Sequence, residues 1–463
     1  MNLSGKKVLV MGLGIIGGGL ETVKWLLKQG AKITITDLRT KKELTSSLEK
    51  LKNFSIKYIL GKHRPQDFKS ADLIIKNPAV RNSSPFLKIA QKNKVPITTD
   101  INLFFEQYPG QIIGITGTKG KSTTATLIYQ ILKKSGQKVN LGGNIGFSPL
   151  KFLNNKAKNN SKMILELSSF HLENIKKGPD IAVITNIFPD HLDRYKTLKE
   201  YIEAKKIILK SQTKNGIAIL NYDNKRSRQL SSCCQGKVFW FSKRPFQKDG
   251  VFLKNQEIYF CQNNQLEKIC SVAKIKMLGE HNLENILAAV CIASILKIKP
   301  QLIQKFLNDF SGIANRLELV RIFKGVKYYN DTAATMPEAA INALKSFNKP
   351  VILICGGADK NLKFQEFARY IKKYGKIVIL LPGTATHKLS ARLRERTRSL
   401  QKEVSGKNKL IEVGSMKEAI EVSQKSAKKG DIVLLSPGCA SFGLFKNEFD
   451  RGKQFAKIIK TLK

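Results

Sequence analysis

The chain has 463 residues, of which 42% are hydrophobic and 25% charged, and its 81 Lys and Arg against 35 Asp and Glu give a formal net charge of +46. At roughly 150 residues per domain, this length predicts about three domains. The composition argues against a disordered or fibrous chain, and no apolar run reaches the roughly 20 residues that a membrane-spanning helix needs.

The N-terminus and the cysteines both indicate a cytoplasmic protein. Met1 to Val10 enters a strand pattern without the apolar stretch and cleavage site of a signal peptide. The seven cysteines lack C-x-x-C spacing, which favours reduced thiols over disulfides or metal ligation. We therefore expect a cytoplasmic protein with no membrane partner.

The net charge raises the question of a nucleic-acid partner. Basic residues that neutralise phosphates are usually clustered, whereas here no three Lys or Arg are consecutive. The densest group, Arg392 to Arg398, is interrupted and has no aromatic residue to stack on bases. A solvated basic surface is the prediction, and a polyanion partner is the alternative.

The first hundred residues alternate apolar strand patterns with helical patterns. Strands are predicted at Lys7 to Met11, Lys32 to Thr36 and Ala71 to Ile75, with a helix at Ile16 to Gln29. This alternation is typical of a parallel α/β layer, and we place this domain at residues 1–100.

A glycine motif follows the first strand of this layer. Gly12-Leu-Gly14-Ile-Ile-Gly17 opens the helix, and Asp37 lies 20 residues beyond Gly17 at the end of the next strand. Such glycines let the backbone approach a diphosphate at a helix N-terminus. The residues alone leave three alternatives: a non-redox nucleotide, NAD(P) or flavin, and glycines that serve only helix packing.

A second α/β domain, predicted at residues 101–312, carries a phosphate-binding loop. The strand at Gln111 to Thr116 is followed by Gly117, Thr118, Lys119, Gly120, Lys121, Ser122 and Thr123. The amides of such a turn cradle phosphates, while Lys121 supplies positive charge and Ser122 can bind Mg²⁺. Ile115 stands where the first glycine of G-x-x-x-x-G-K-[ST] belongs, so we expect a shorter loop. A turn that only caps the helix is the alternative.

Two further segments place metal-binding groups after strands of this domain. Asp190-His191-Leu-Asp193 follows a strand at Ile181 to Asn186, and Glu166 ends an apolar strand. A buried carboxylate is costly without a cation, so both segments are candidates for holding Mg²⁺ opposite the phosphates. The alternatives are a hydrogen-bonded turn at Asp190 and a structural hydrogen bond at Glu166.

The last part of the chain, residues 313–463, again alternates strands with helices. Strands are predicted at Val326 to Asn330, Pro350 to Cys355, Ile377 to Leu381 and Asp431 to Ser436. The predicted fold class is therefore α/β with three domains: a Rossmann-like N-terminal domain, a central P-loop ATPase domain with a parallel sheet, and a Rossmann-like C-terminal domain.

The order of these motifs resembles that of the Mur ligases over nearly the whole chain. The matching segments are Thr116–Thr123, Gly143–Gly146, Glu166–Phe170, Asp190–Tyr195, Gly279–Asn282 with Asn285, Asn315–Glu318, Asn330–Thr332 and Ser436–Ser441. The Glu-Leu-Ser-Ser-Phe and Ser-Pro-Gly-Cys-Ala-Ser segments are most similar to those of the members that add D-glutamate.

The resemblance implies an ATP-dependent amide ligase of peptidoglycan precursor synthesis. ATP would phosphorylate the alanine carboxylate of UDP-N-acetylmuramoyl-L-alanine, and the amine of D-glutamate would attack the acyl phosphate. The implied cofactors are ATP and two Mg²⁺ ions. We also expect a monomer without a nucleic-acid partner. The N-terminal domain would bind the UDP-sugar rather than NAD.

The resemblance also assigns roles to matching positions. The implied catalytic residues are Lys121, His191, Lys205 and Glu166. The ATP site would comprise residues 117–123 with Asn285, Arg316 and Asp331 for adenine, phosphate and ribose. The metal ligands would be Ser122, Glu166, His191 and a carbamylated Lys205. The UDP-substrate contacts would be Leu13, Ile15, Asp37, Arg39, Asn144 and Ser168. The D-glutamate contacts would be Thr335, Lys360, Ser441 and Phe442.

Some of these positions have simpler interpretations, and others depart from the family pattern. Lys205 could be a solvated helix lysine, and Lys360 could belong to a surface turn. The departures from the pattern are Ala333 for a lysine, His171 for a glutamine, Lys119 for an asparagine, Asn77-Pro78-Ala79 for Ser-Pro-Gly, and Glu448 for a phenylalanine. Three rivals remain: a ligase for another amino acid, an NAD(P) oxidoreductase and a nucleic-acid-binding NTPase.

Overall fold

The structure is a computed structural model that describes most of the chain. The described residues are 2–14, 18–145, 148–153, 160–191, 194–273, 275, 280–310, 312, 314–359, 362–395 and 409–462, without the side chains of 280 and 281. They form three β-sheets. Two compact units contain them: Met1–Ala273 with Leu283–Phe306, and Lys274–Asn282 with Leu307–Lys463.

The first sheet has five parallel strands. Its layer comprises β1 (Lys7–Met11), α1 (Gly18–Lys28), β2 (Lys32–Asp37), α2 (Lys41–Glu49), β3 (Lys57–Leu60), α3 (Pro65–Ser70), β4 (Leu73–Lys76), α4 (Pro85–Lys92), β5 (Ile97–Thr98) and α5 (Asp100–Gln107). The strand order is β3-β2-β1-β4-β5. In such sheets ligands bind beyond the carboxyl ends of the strands where the order reverses, which here lies between β1 and β4.

The second sheet has nine strands in the order β14-β13-β12-β11-β10-β9-β6-β8-β7. The elements of this part of the chain are β6 (Gln111–Thr116), α6 (Lys121–Lys134), β7 (Val139–Gly143), β8 (Lys162–Glu166), α7 (Ser169–Leu172), β9 (Ile181–Ile184), α8 (Leu198–Lys210), β10 (Ile217–Asn221), α9 (Lys225–Gln229), β11 (Lys237–Ser242), β12 (Gly250–Lys254), β13 (Glu257–Gln262), β14 (Gln265–Ser271), α10 (Glu280–Ile295) and α11 (Pro300–Asp309), with 3-10 helices at Pro149–Phe152 and Leu230–Cys233. The β12–β14 strands pair antiparallel with one another, and the other pairs are parallel.

The third sheet has six strands in the order β15-β16-β20-β17-β18-β19. Its layer comprises β15 (Glu318–Phe323), β16 (Val326–Asn330), α12 (Pro337–Lys345), β17 (Val351–Cys355), α13 (Gln365–Tyr374), β18 (Gly375–Leu380), α14 (Thr384–Arg394), β19 (Lys409–Glu412), α15 (Met416–Ser426), β20 (Ile432–Leu435) and α16 (Glu448–Lys460). Only β15 is antiparallel to its neighbour, and a separate apolar core covers each face of the sheet.

The local sequence explains where several helices begin. Thr40, Thr99, Thr197, Ser415 and Asn447 each precede a helix, and each side chain accepts a hydrogen bond from the backbone amide three residues later. Such caps satisfy amide groups that have no partner within the helix.

The predicted α/β class with parallel sheets is confirmed, and the predicted strand ends differ from the observed ones by a few residues at most. The predicted boundaries at residues 100 and 312 stay predictions. All seven cysteines are free. Within the described ranges, no helix has both the length and the apolar character needed to cross a membrane.

Candidate active site

The glycine turn after β1 lies at the carboxyl edge of the first sheet. Gly12 and Gly14 have φ of 92° and 68°, which side chains rarely adopt. Asp37 accepts hydrogen bonds at Oδ2 from the Gly14 amide (3.2 Å) and at Oδ1 from the Arg39 amide (2.9 Å). The Leu13 side chain is fully buried. The predicted contact Ile15 lies outside the described residues.

The phosphate loop joins β6 to α6, and two of its glycines have no room for a side chain. A Cβ on Gly117 would lie 1.9 Å from Thr185 Oγ1, and one on Gly120 would lie 2.2 Å from Asn285 Oδ1. Gly120 precedes the helix at φ 84°. The packing of Asn285 on this glycine brings one predicted ATP-binding residue against the loop.

Contacts from the neighbouring strand β9 hold the loop in shape. The Thr118 amide donates to the Asn186 carbonyl (2.9 Å), and the Lys119 amide donates to Asn186 Oδ1 (2.9 Å). Lys121 Nζ donates to the carbonyls of Gly117 (3.0 Å) and Thr118 (2.8 Å), so its ammonium lies directly over the loop. This arrangement concentrates positive charge at a helix N-terminus, where phosphates bind.

Glu166 ends β8 as a buried carboxylate, with 2% of its surface exposed. Its Oε1 accepts a hydrogen bond from Asn144 Nδ2 (2.9 Å), whereas its buried Oε2 has no hydrogen-bond partner among the described residues. A buried anionic oxygen without a donor is costly, and a hard cation removes that cost. The residues therefore fit a Mg²⁺ ion.

A complete protein cage for that ion is absent from the described part of the chain, where no three His, Cys, Asp or Glu side chains gather as metal ligands. Mg²⁺ commonly uses one or two carboxylates together with substrate phosphates and waters. Glu166 beside a phosphate loop matches that pattern.

His191 lies in a turn after β9 with its side chain 45% exposed. Its φ of 53° is unusual for a residue with a side chain. Its ring lies edge-on to Phe170, 5.0 Å between centroids, and its Nε2 is 3.8 Å from Asp190 Oδ2. The imidazole is thus supported on one side and open to a ligand on the other. Asp193 lies outside the described residues.

Lys205 is buried, with 1% of its surface exposed, so the interpretation as a solvated helix lysine is wrong. Its described hydrogen-bond partners are neutral: Nζ donates to the Gly117 carbonyl (2.9 Å) and Thr116 Oγ1 (3.4 Å). Burial and the nearby Lys121 hold the pKa of Lys205 well below its usual value, while Asp190 opposes the shift. Burial beside the phosphate loop therefore disfavours the charged form of Lys205 relative to an exposed lysine.

Ser168 caps the short helix α7, and His171 completes the cap. His171 Nδ1 lies 2.8 Å from Ser168 Oγ and accepts a hydrogen bond from the Ser168 amide (3.2 Å). Burial lowers the pKa of His171, and the charges of Asp100 and Glu166 oppose the shift. A neutral imidazole therefore serves as the acceptor that fixes the Ser168 turn.

In the second compact unit, Asp331 lies at the carboxyl end of β16. Its Oδ2 accepts a hydrogen bond from Ser436 Oγ (2.8 Å), and its Oδ1 accepts one from the Leu317 amide (3.2 Å). Burial raises its pKa to about 7, although these hydrogen bonds and Arg316 oppose the shift. The structure thus brings two predicted ATP-binding residues, Arg316 and Asp331, near each other.

The predicted D-glutamate contacts of this unit differ in exposure. Ser441 is buried, whereas the Phe442 side chain is 55% exposed. The Thr335 amide donates to the Ala333 carbonyl (2.9 Å), so the variant position Ala333 lies in the same tight turn. Lys360 lies outside the described residues.

Three family models match consecutive parts of the chain. "Mur ligase MurD-like, N-terminal domain" matches residues 6–99, "Mur ligase middle domain" matches 115–293, and "Mur ligase, glutamate ligase domain" matches 315–439. The UDP-N-acetylmuramoylalanine–D-glutamate ligase of Roseiflexus sp. (strain RS-1) is 40% identical over 100% of both chains. The chain belongs to the Mur ligase family. The same-named ligase of Clostridium tetani is 36% identical over 99% of this Mur ligase and 97% of the relative.

Solved structures share the fold of this Mur ligase. The UDP-N-acetylmuramate-alanine ligase of Thermotoga maritima has a TM-score of 0.60 at 19% identity, covering 99% of this chain and 100% of that one. The MurF ligase of the same organism in complex with ADP has a TM-score of 0.55 at 19% identity, covering 99% and 96%. The predicted family and three-domain α/β fold are confirmed.

Several residues that shape the Mur ligase site were not predicted from the sequence. Thr185 and Asn186 hold the phosphate loop, and Thr185 Oγ1 donates to the Lys119 carbonyl (2.6 Å). A signal was available, because polar residues at the end of a strand adjacent to the loop-bearing strand share its ligand-binding edge. Glu173 and Arg194 were also missed, and their contacts join segments far apart in sequence.

Proposed function

We propose that this Mur ligase joins D-glutamate to UDP-N-acetylmuramoyl-L-alanine in peptidoglycan precursor synthesis. The relatives that share 36–40% of its residues over their full length bear the name of that ligase, which agrees with the activity predicted from the sequence. The γ-phosphoryl group of ATP passes to the alanine carboxylate and leaves ADP. The D-glutamate amine then attacks the acyl carbon, loses a proton and expels phosphate.

The phosphate loop performs the first half of this reaction. Its amides and the Lys121 ammonium bind the phosphates of ATP and stabilise the charge that shifts between them. A bound Mg²⁺ ion would supply positive charge that offsets the negative charge of the phosphates. We assign one ion to Ser122 and Glu166, because the Glu166 Oε2 atom is buried without a donor in the described structure.

A second ion is assigned to His191 and a modified Lys205. The neutral Nζ of Lys205 attacks carbon dioxide and loses a proton, which yields a carbamate with one negative charge. Burial supports this step, because it disfavours the ammonium form relative to the reactive amine, and the carbamate would supply an anionic oxygen ligand for the metal. His191 and the carbamate of Lys205 would hold the second ion, which would supply further positive charge near the reacting groups.

The substrates are assigned to the edges of the three sheets. The Gly12–Gly14 turn with Leu13, Ile15, Asp37 and Arg39 takes the uridine diphosphate, and Asn144 and Ser168 contact the sugar peptide. Asn285, Arg316 and Asp331 take the nucleoside and phosphates of ATP. Thr335, Lys360, Ser441 and Phe442 receive D-glutamate. We further propose that the ligase is monomeric and cytoplasmic.

The test is phosphate release with UDP-N-acetylmuramoyl-L-alanine, ATP and Mg²⁺. D-Glutamate is compared with L-glutamate, L-alanine, L-lysine and no amino acid. Release that requires both the UDP-substrate and D-glutamate supports the proposal and makes Ala333 a tolerated change. Release with a different amino acid would reassign the C-terminal pocket while leaving the ATP chemistry in place.

A further inference from the structure

The Arg194 guanidinium joins two parts of the first compact unit that are far apart in sequence. Its Nη1 donates to the carbonyl of Ala79 (2.9 Å), and its Nη2 donates to that of Pro78 (3.3 Å). The loop that follows β4 is thereby tied to the turn that follows β9. Both ends of this link lie at the carboxyl ends of strands, where each sheet is expected to bind its ligand.

The far side of the same loop rests on the glycine turn. Asn77 Nδ2 donates to the Gly12 carbonyl (3.3 Å), and a Cβ on Gly12 would lie 2.9 Å from Asn77 Cβ. The Asn77 amide also donates to the Met11 carbonyl (2.9 Å). The loop is therefore held between the proposed diphosphate-binding turn and Arg194.

On the opposite side, Arg194 is part of the turn that presents His191. The Arg194 amide donates to the His191 carbonyl (3.0 Å). The guanidinium carbon lies 4.1 Å from the centroid of the Phe170 ring, and that ring also contacts the His191 imidazole at 5.0 Å. Arg194 and His191 thus share one aromatic support, so the position of the guanidinium constrains that of the imidazole.

Glu173 fixes the guanidinium in this position. It accepts hydrogen bonds from Arg194 Nε (3.3 Å) and Nη2 (3.0 Å) and from the Tyr195 hydroxyl (2.7 Å). The Arg194 and Glu173 side chains are only 10% and 14% exposed. A planar guanidinium can contact a carboxylate and two carbonyls at once, whereas the point charge of a lysine cannot reproduce that geometry.

We infer that Arg194 is a positioning residue that couples the binding of the UDP-substrate to the binding of the metal-nucleotide. It holds the Asn77–Ala79 loop on one side and the His191 turn on the other. The inference rests on the proposed function for the identity of the two ligands. The link is a contiguous chain of direct contacts, so filling either site restricts the loop, the guanidinium and the imidazole together.

The test measures this coupling by calorimetric titration of the full-length protein. The dissociation constant of UDP-N-acetylmuramoyl-L-alanine is measured with and without saturating Mg-ADP, in the wild type, Arg194→Lys and Arg194→Met. In the wild type, Mg-ADP is expected to change it by about tenfold. In Arg194→Lys the ratio falls to about one. A role limited to stability would lower the melting temperature without moving this ratio.

The matched control is Arg64→Lys. Arg64 makes an equivalent two-point contact with Asp67 (2.8 and 2.9 Å) but touches no ligand loop. Its replacement should leave the ratio at the wild-type value. Should Arg194→Met fail to fold, Arg194→Lys carries the test alone, because it keeps the charge.

The outcomes separate the inference from the proposed function. No binding of the UDP-substrate to the wild type overturns the proposed function and the inference with it. Binding without coupling in the wild type, or the same coupling in Arg194→Lys as in the wild type, overturns the role of Arg194 alone. An equal loss of coupling in Arg64→Lys would also overturn the role of Arg194.

Discussion

Buried lysines give this molecule its most unusual residue-level chemistry. Lys205 and Lys76 are each 1% exposed, and both have pKa values lowered by burial. Their surroundings differ, since Lys205 faces the phosphate loop while Lys76 Nζ donates to the Val80 carbonyl (2.9 Å) near Glu173 and Arg194. Lys205 therefore contacts the phosphate loop, and Lys76 holds the residue that follows the Asn77–Ala79 loop.

Replacing Lys205 by alanine should abolish ligase activity, because the proposed carbamate and its metal contact are lost together. Activity should return in part when a short-chain carboxylate such as acetate or propionate is added, since it can enter the vacated space as a ligand. The measurement is D-glutamate-dependent phosphate release across a carboxylate series. Full activity of Lys205→Ala without any added acid would eliminate the carbamate.

Lys76 makes a pH-dependent contribution to stability. Burial lowers its pKa to about 8, while Glu173 opposes the shift and Arg194 adds to it. Between about pH 8 and 10.4 the unfolded chain binds more protons at this site than the folded one, so the unfolding free energy rises with pH by about 3 kcal/mol. Below pH 8 the full cost of the buried charge is present.

Urea unfolding of the wild type and Lys76→Met at pH 7.5 and 10 measures this contribution, because other titrating groups cancel in the comparison. The wild type should gain stability relative to the variant at the higher pH. An identical difference at both pH values would mean that Lys76 is protonated normally in the fold.

At the scale of single elements, the phosphate loop depends on its close contact with α10. A methyl group on Gly120 would press on Asn285 Oδ1, and the residue would also be held at φ 84°. Gly120→Ala should therefore lower kcat/KM for ATP by about 100-fold, because displacing the loop misplaces the phosphates.

Gly136→Ala is the matched control for this loop, since Gly136 has φ 82° and a Cβ there would meet no atom within 4 Å. It should reduce stability by about 1 kcal/mol through the backbone conformation alone and leave kcat/KM unchanged. Equal kinetic effects of the two substitutions would indicate that backbone conformation, rather than contact with Asn285, sets the loop.

How far the sequence predicts the structure also varies by element. The strands of all three sheets follow from apolar runs separated by helical patterns, and the loop at Gly117 follows from its glycines and its lysine. The burial of Lys205 could not be predicted from the sequence, because α8 carries both buried and exposed lysines. Its neighbours Lys206 and Lys210 are partly exposed. The contacts of Arg194 could not be predicted either, because its partners Pro78 and Ala79 precede it by more than a hundred residues.

At the scale of the whole molecule, the net charge of +46 should lower the stability of the fold and speed the capture of anionic substrates. Like charges repel in the folded state, and added salt screens that repulsion over about 10 Å at 0.1 M. The melting temperature should therefore rise when NaCl is increased from 20 to 300 mM, roughly one decade of ionic strength. The kcat/KM for the anionic UDP-substrate should fall over the same range, because salt weakens electrostatic steering.

Thermal scans and initial-rate assays at matched salt concentrations check both trends. A melting temperature that falls with salt would show that attractive ion pairs outweigh the repulsion. ATP hydrolysis stimulated by added DNA or RNA would instead favour the polyanion partner that the basic composition left open.

The contacts of Glu173 bear on how the chain folds as it is synthesised. The first sheet uses only residues 7 to 98, so its strands can pair as soon as that segment leaves the ribosome. The contacts between the loop at Pro78 and Ala79 and Arg194 form later, because Glu173, Arg194 and Tyr195 emerge from the ribosome about a hundred residues after the loop. At about 5–20 residues per second this delay lasts several seconds. During that delay the loop keeps its contacts with Met11 and Gly12 through Asn77 but lacks those of Arg194, so we expect it to be more susceptible to proteolysis than in the finished protein.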